Sequence, residues 1–232
     1  MPERRVISAF RSVTLVLCAA AAFGAELLAP EPEPKNVAPL PMAVFNFDQD
    51  ALGKPPPRFR LVVTGEGSGV HWEVARDLEA PSAPNILVQK GQAKPGENFA
   101  LALLDDLMLD HGEVAVRFKA LSGEGDQTAG IVFRYKDPQN YYIIVANSRE
   151  DTCALYRVKK GKRKLLDTKD VIVTPFLWHE LRITFAKGTY TALMGKELVL
   201  GGKHSGLTEP GLVGLWTKCD SQIAFDDFRV SK

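Results

Sequence analysis

The sequence predicts an all-β protein built as a two-sheet antiparallel β-sandwich. Three observations lead to this fold class. Short segments alternate apolar and polar residues with period two, turn-forming residues separate these segments at regular spacing, and no amphipathic segment long enough for a stable helix stands out. Hydrophobic residues make up 45% and charged residues 25% of the 232 residues, as in an ordinary globular protein.

The chain begins with the pattern of a secretory signal. Arg4, Arg5 and Arg11 precede residues 13–25, which carry no charge. This apolar stretch is shorter than the roughly 20 residues that span a bilayer. We therefore predict that residues 1–24 are a signal peptide, that the protein is exported to the periplasm or the extracellular space, and that the mature protein has no membrane span. Cleavage after residue 22 fits nearly as well.

A proline-rich linker follows the signal. Residues 25–42 carry prolines at positions 30, 32, 34, 39 and 41, a density that favours extended polyproline structure over helix or central strand. We predict that residues 43–232 form one domain. The formal net charge is +1 and no basic stripe is visible, so nucleic acid is not an expected partner.

The period-two segments of this domain predict its strands. Residues 113–119, 130–136 and 178–185 alternate most clearly, with Ile131 and Phe133 facing the core and Arg134 on the opposite, exposed side. Residues 99–109 are interpreted as a buried strand followed by a turn at Asp105. The other predicted strands are 141–147, 154–158, 189–194, 197–200, 211–217 and 223–230, and a basic turn covers 159–162.

Three segments carry a resemblance to a known superfamily: GIVFRYKDPQNYYIIVAN, WHELRITF and EPGLVGLWTKCDSQIAFDDFRV. They resemble the concanavalin A-like lectin/glucanase superfamily with its laminin G-like jelly roll. The nearest branch is the secreted bacterial one of 3-keto-disaccharide hydrolases and family 16 glycoside hydrolase-like proteins. The resemblance implies two stacked antiparallel sheets, neighbouring first and last strands, and a ligand site on the open face of one sheet.

The sequence lacks the carboxylate spacing of retaining glucanases. Those enzymes place acids at alternate positions of one strand, which aims the outer two into one groove. Here the acidic pairs are adjacent in sequence, and an adjacent pair on a strand points to opposite faces. We therefore expect a non-catalytic carbohydrate-binding protein. The alternatives are a glycoside hydrolase acting through Glu150, Asp151 or Asp220, and an envelope module that binds protein.

Alternation also predicts the binding residues. An aromatic platform and fixed polar groups suit a sugar ring and its hydroxyls. Five residues supply these types and are predicted to bind carbohydrate: Arg134, Tyr141, Asn147, Trp216 and Lys218. The alternative is that Trp216 packs in the core and that Arg134 pairs with Glu150.

Two further predictions concern structural sites. If the first and last strands pair, Asp48, Asp226 and Asp227 would come together and could hold a structural Ca²⁺, although a solvated acidic cluster is the alternative. In an oxidising compartment Cys153 and Cys219 could form a disulfide, and two buried free thiols are the alternative.

Overall fold

The computed structural model describes residues 42–65, 70–91, 98–203 and 206–232, which form strands and their connections. The predicted signal peptide and all of the predicted linker except Met42 lie outside these residues. In the described ranges no helix is long and apolar enough to cross a membrane. The strands are β1 (Met42–Phe45), β2 (Phe59–Gly65), β3 (Trp72–Arg76), β4 (Asn85–Gln89), β5 (Asn98–Leu109), β6 (Gly112–Ser122), β7 (Thr128–Asp137), β8 (Asn140–Asn147), β9 (Thr152–Lys159), β10 (Lys162–Asp170), β11 (His179–Ala186), β12 (Thr189–Met194), β13 (Glu197–Lys203), β14 (Gly211–Lys218) and β15 (Gln222–Ser231).

The strands form two antiparallel sheets, which confirms the predicted β-sandwich. The eight-stranded sheet has the order β13-β12-β11-β6-β15-β4-β3, and its eighth strand, β1, pairs with β15 on the same side as β4. The seven-stranded sheet has the order β10-β9-β8-β7-β14-β5-β2. β15 pairs with β6 along one edge, and with β4 and then β1 along the other. The predicted pairing of the first and last strands is therefore confirmed.

The core lies between the two sheets and follows the alternation in the sequence. From the eight-stranded sheet, β6 and β11 contribute buried apolar residues at every second position. From the seven-stranded sheet, β7 contributes Ile131 and Phe133, which face inward as predicted. Each inward residue removes apolar surface from water, which is the main favourable contribution to folding. The core includes Val114, Val116, Phe118, Leu181, Ile183 and Phe185.

The seven-stranded sheet is also apolar on its outer face, the face that points away from the eight-stranded sheet. The residues that alternate with the core positions of this sheet form a second buried cluster. It includes Phe99, Leu101, Val132, Tyr141, Val145 and Trp216. Central strands such as β8 and β14 are consequently buried on both faces and read as continuous apolar runs.

The predicted turn at Asp105 is wrong, because β5 continues through this position to Leu109. The ladder between β14 and β5 shifts its register between Leu212 and Gly214, which pair with Met108 and Leu103 of β5. Asp105 lies in this irregular stretch, exposed, with a carboxylate oxygen 3.1 Å from Nε of Arg60. Asp105 and Asp106 are both exposed within the strand because a bulge turns them toward solvent.

Candidate functional site

Two cavities lie on the outer face of the seven-stranded sheet. The small cavity, of about 240 Å³, has an apolar floor and a polar rim; its lining includes Val145, Asn147, Glu150, Ala154, Trp216 and Lys218. The large cavity, of about 830 Å³, lies between the β7–β8 turn, the β9–β10 turn and the end of β2; its lining includes Thr64, Phe99, Gln139, Tyr141, Lys162 and Arg163. Apolar floors with a few polar groups are typical of small-molecule sites.

Arg163 separates the two cavities and lines both of them. It stands on β10 opposite Val158, an outer-face residue of β9, which sets the direction of its side chain. Its guanidinium carbon lies 5.0 Å from the ring centroid of Phe99 and 5.1 Å from that of Tyr156. Stacking on aromatic rings at this distance is attractive and holds the planar cation in place.

A buried carboxylate anchors the polar side of the small cavity. Asp126 is 2% exposed and forms an ion pair with Nζ of Lys218. Oγ1 of Thr128 also donates to it, and Nδ2 of Asn147 donates at 3.4 Å. Burial acts to lower the pKa of Lys218, but the hydrogen bond and the charge of Asp126 together raise it. Lys218 therefore stays a fixed cation on the cavity wall.

Asp220 holds the loop that carries Asp126. The backbone N–H groups of Glu124 and Gly125 donate to its Oδ2 at 2.7 and 2.8 Å, and that of Asp126 donates to its Oδ1 at 2.9 Å. Burial acts to raise the pKa of Asp220, but these backbone hydrogen bonds outweigh it and lower the pKa. Asp220 thus orders the loop and places Asp126 beside Lys218.

The structure brings three of the five predicted binding residues into the small cavity: Asn147, Trp216 and Lys218. Tyr141 lies in the large cavity, where its hydroxyl is 3.2 Å from Oγ1 of Thr64. Trp216 is only 1% exposed and stacks on Phe99 with the ring centroids 5.1 Å apart. The expectation of an exposed aromatic platform is therefore wrong for Trp216, which forms part of the cavity floor.

Arg134 does not share this face, which corrects the prediction that it is exposed opposite the core. A register shift follows Phe133 in β7, and Arg134 has a φ of 49°, so the regular alternation ends here. Arg134 is 1% exposed. Its guanidinium donates to the carbonyl oxygens of Leu207 and Asp110, each at 2.8 Å, and it fixes these two connections.

The three predicted calcium ligands each have hydrogen-bond or ionic partners. Asp48 accepts from Nδ2 of Asn46 at 2.8 Å, and Asp226 accepts from Oγ of Ser82 at 2.8 Å. Asp227 lies 3.6 Å from Nε of Arg117. Within the described ranges no three His, Cys, Asp or Glu residues form a group able to hold a metal ion. Calcium binding by these residues stays a prediction.

The predicted disulfide is not formed: Cys153 and Cys219 are both buried, and no S–S bond joins them. Cys153 faces the core between the sheets from β9, and burial raises the pKa of its thiol to about 12. Cys219 follows the end of β14 with a φ of 52°, and its backbone N–H donates to the carbonyl of Asn98 at 3.0 Å. The structure therefore agrees with the alternative in which both thiols are buried and no disulfide forms.

Sequence reasoning missed Phe99, Asp126 and Arg163 as site residues. Phe99 lies in the stretch interpreted only as a buried strand, and Asp126 lies outside every predicted strand. Arg163 follows the predicted basic turn directly, and a two-residue turn at Lys160 and Gly161 pairs it with Val158, which places it on the outer face. The length of the turn sets this register, so the turn was the sequence signal that could have identified Arg163.

Comparison with known proteins gives the fold and no family. No family model matches the chain, and no curated protein matches it. Among solved structures, the carbohydrate binding module CBM66 from Bacillus subtilis matches with a TM-score of 0.57 and 16% identity over 73% of this chain and 97% of that one. Cellulose induced protein Cip1 matches with a TM-score of 0.55 and 14% identity over 82% and 96% of the two chains.

A prokaryotic beta-1,3-1,4-glucanase (lichenase) derived from a mouse hindgut metagenome also matches, with a TM-score of 0.50 and 10% identity over 82% of this chain and 98% of that one. These likenesses show a shared two-sheet jelly-roll fold, which is the fold that the resemblance in the sequence implies. At such identities the likeness concerns the fold alone, because one fold supports both binding and hydrolysis.

Proposed function

We propose that this protein is an exported carbohydrate-binding protein that holds a glycan on the outer face of its seven-stranded sheet without cleaving it. The observation that carries the proposal is the small cavity, where Asn147, Glu150 and Lys218 surround an apolar floor. The predicted export signal supports a site of action in the periplasm or outside the cell.

The chemistry of the small cavity suits sugar hydroxyls. A hydroxyl both donates and accepts, so it pairs with a carboxylate, an amide or an ammonium group. Glu150 is exposed at the rim and supplies acceptors, while Lys218 supplies donors and is fixed by Asp126. Beneath these polar groups lies an apolar floor of Val145, Ala154 and Trp216, each of which is largely buried.

The positions and hydrogen-bond partners of the candidate carboxylates support binding without cleavage. Glycoside hydrolysis by the common mechanisms needs two carboxyl groups flanking the bond. Among the described residues that line the small cavity, Glu150 is the single carboxylate. The other two candidate acids accept from backbone N–H groups: Asp220 from the 124–126 loop, and Asp151 from Val173 at 2.9 Å. Their positions support a structural role.

The test is a glycan array followed by titration of the best ligand with Glu150→Gln. This substitution keeps the shape of the side chain and removes the charged acceptor. We expect affinity to fall about tenfold, because a hydrogen bond to a charged group contributes about 1.5–3 kcal/mol. Glu79→Gln is the matched control: Glu79 is an exposed carboxylate in the β3–β4 connection, away from the cavity lining.

Unchanged affinity in Glu150→Gln would contradict the small cavity as the site. Release of reducing sugar from the bound glycan would contradict the non-catalytic part of the proposal and make Glu150 the first residue to examine. Absence of any glycan ligand, together with capture of a protein partner by the same face, would favour the envelope interaction module instead.

A further inference from the structure

The hairpin between β9 and β10 concentrates positive charge. Residues 157–164 hold six cations and no carboxylate: Arg157, Lys159, Lys160, Lys162, Arg163 and Lys164. We call this segment the basic hairpin. The chain as a whole has a net charge of only +1, so this charge is a local feature. A cluster of one sign raises the local concentration of ions of the opposite sign.

The register of the basic hairpin places like charges opposite each other. Lys159 pairs with Lys162 across the two strands, and Arg157 pairs with Lys164. Like charges at directly opposite positions destabilise a β-ladder. The fold therefore carries two unfavourable pairs in one hairpin, and such departures from local preference are expected where a segment has a function.

The tip of the basic hairpin is held in a defined position. Lys160 and Gly161 have φ values of 52° and 73°, the left-handed pair that a tight two-residue turn requires. The N–H of Gly161 donates to the carbonyl of Gln139 at 3.1 Å, and the N–H of Lys160 donates to Oδ1 of Asn140 at 3.2 Å. The cations are thus presented from a fixed backbone.

The carboxylate in the adjoining turn is engaged within that turn. Oδ1 of Asp137 accepts from the N–H of Gln139 at 2.7 Å and from Nδ2 of Asn140 at 3.0 Å. Both contacts keep this carboxylate in the β7–β8 turn. No described carboxylate forms an ion pair with Lys159, Lys160 or Lys162.

The basic hairpin also forms one wall of the large cavity, through Lys162 and Arg163. The described lining of that cavity contains these two cations and no carboxylate. In the small cavity, by contrast, Glu150 supplies a negative charge at the rim. The two cavities therefore differ in charge, and Arg163 lies between them.

We propose that the glycan recognised by this protein is an acidic polysaccharide, with a uronic acid carboxylate in the large cavity beside Arg163 and Lys162. The inference rests on the proposed function and specifies its ligand class. The planar guanidinium of Arg163 matches a carboxylate, and Lys162 adds a second donor from the turn.

A polysaccharide suits this surface better than a nucleic acid. Single-stranded nucleic acids bind through bases stacked on accessible rings. The rings at the large cavity are not accessible in this way, since Phe99 is 8% exposed and Tyr141 is 2% exposed. Arg163 further covers the face of Phe99. The features left at the surface are donors and cations, which recognise acid groups and hydroxyls.

The experiment titrates the protein with polygalacturonate, with dextran as a neutral polysaccharide and with polyadenylate as a polyanion without uronic acid. We expect tight binding to polygalacturonate that weakens as NaCl rises from about 0.05 M to about 0.5 M, because salt screens charge contacts. Lys162→Glu should reduce this affinity by about tenfold or more. Lys54→Glu makes the same charge change at an exposed residue between β1 and β2, outside the basic hairpin, and should leave the affinity for polygalacturonate unchanged.

The thermal unfolding of Lys162→Glu separates loss of binding from loss of folding. The substitution turns the Lys159–Lys162 pair into an opposite-charge pair, so its melting temperature should equal or exceed that of the wild type. A lowered melting temperature together with weak binding would overturn the interpretation of this pair.

The remaining outcomes distinguish this inference from the proposed function. Binding to dextran or another neutral glycan, unaffected by Lys162→Glu, would overturn the acidic ligand and leave glycan binding intact. Equal affinity for polyadenylate and polygalacturonate would overturn selection of a uronic acid. Absence of binding to any glycan would contradict both proposals together.

Discussion

At the scale of single residues, alternation in the sequence predicts which face of a strand a side chain occupies, but not how deeply that side chain is buried. It places Trp216 and Lys218 on one face of β14, and the structure has both in the small cavity. It cannot show that Phe99 of the neighbouring β5 covers the Trp216 ring, because that contact depends on register between distant segments. For Arg134, a positive φ within β7 breaks the alternation on which the prediction relies.

The burial of Trp216 leads to a stability prediction. Trp216→Ala removes a large side chain that is 1% exposed and leaves Phe99 without its stacked neighbour. We expect the free energy of unfolding to fall by about 3–5 kcal/mol in urea titrations. Trp216→Phe, which keeps an aromatic ring, should lose less. A Trp216→Ala variant with unchanged stability would return this residue to the role of an exposed platform.

At the scale of elements, the strands are more predictable than the loops that join them. Period two identifies β6, β7 and β11 because each buries one face in the core between the sheets. The loop at residues 123–126 has no such periodic signal. Its order depends on Asp220, which lies far along the chain and accepts three backbone N–H groups from it.

Removing this carboxylate should loosen the loop. Asp220→Ala leaves three N–H groups without their charged acceptor, and we expect a loss of about 1–3 kcal/mol in the free energy of unfolding at neutral pH. Faster hydrogen exchange at Gly125 and Asp126 should accompany it. Asp170→Ala, at an exposed position of β10, is the control and should change neither quantity.

The pH dependence of this loss follows from the direction of the pKa shift. Folding lowers the pKa of Asp220, so its contribution is present above the ordinary value of 3.8 and disappears as the pH falls through the folded pKa. Wild type and Asp220→Ala should therefore converge in stability as the pH is lowered through this range. A gap that stays constant with pH would contradict the charged hydrogen bonds.

At the scale of the whole molecule, the sequence predicts the sandwich because burial of a periodic apolar face is a local pattern. The order of strands within each sheet is not local, and only the pairing of the first and last strands was expected, as an implication of the resemblance. The outer apolar face of the seven-stranded sheet was also missed, since an apolar residue on a doubly buried strand gives no sign of which face it occupies. The cavities are a consequence of that second face.

Cooperative unfolding makes alkaline stability a property of the whole molecule. Burial raises the pKa of Cys153 from 9.0 to about 12, and burial with the hydrogen bond to Asp167 raises that of Tyr190 from 10.0 to about 12. At a pH between the ordinary pKa values and the raised ones, the folded state binds more protons than the unfolded state, so stability falls as the pH rises. Melting temperatures measured across this range should fall for the wild type and fall less for Tyr190→Phe and Cys153→Ala.

The position of β15 in the eight-stranded sheet has a consequence for the timing of folding during synthesis. β1, β4 and β6 each require β15 as a neighbour, although all three are made much earlier. Until the ribosome has made β15, these strands keep unpaired edges and the sheet stays in three parts. Structures dominated by such distant pairings fold slowly. The eight-stranded sheet of a nascent chain is therefore completed only near the end of synthesis.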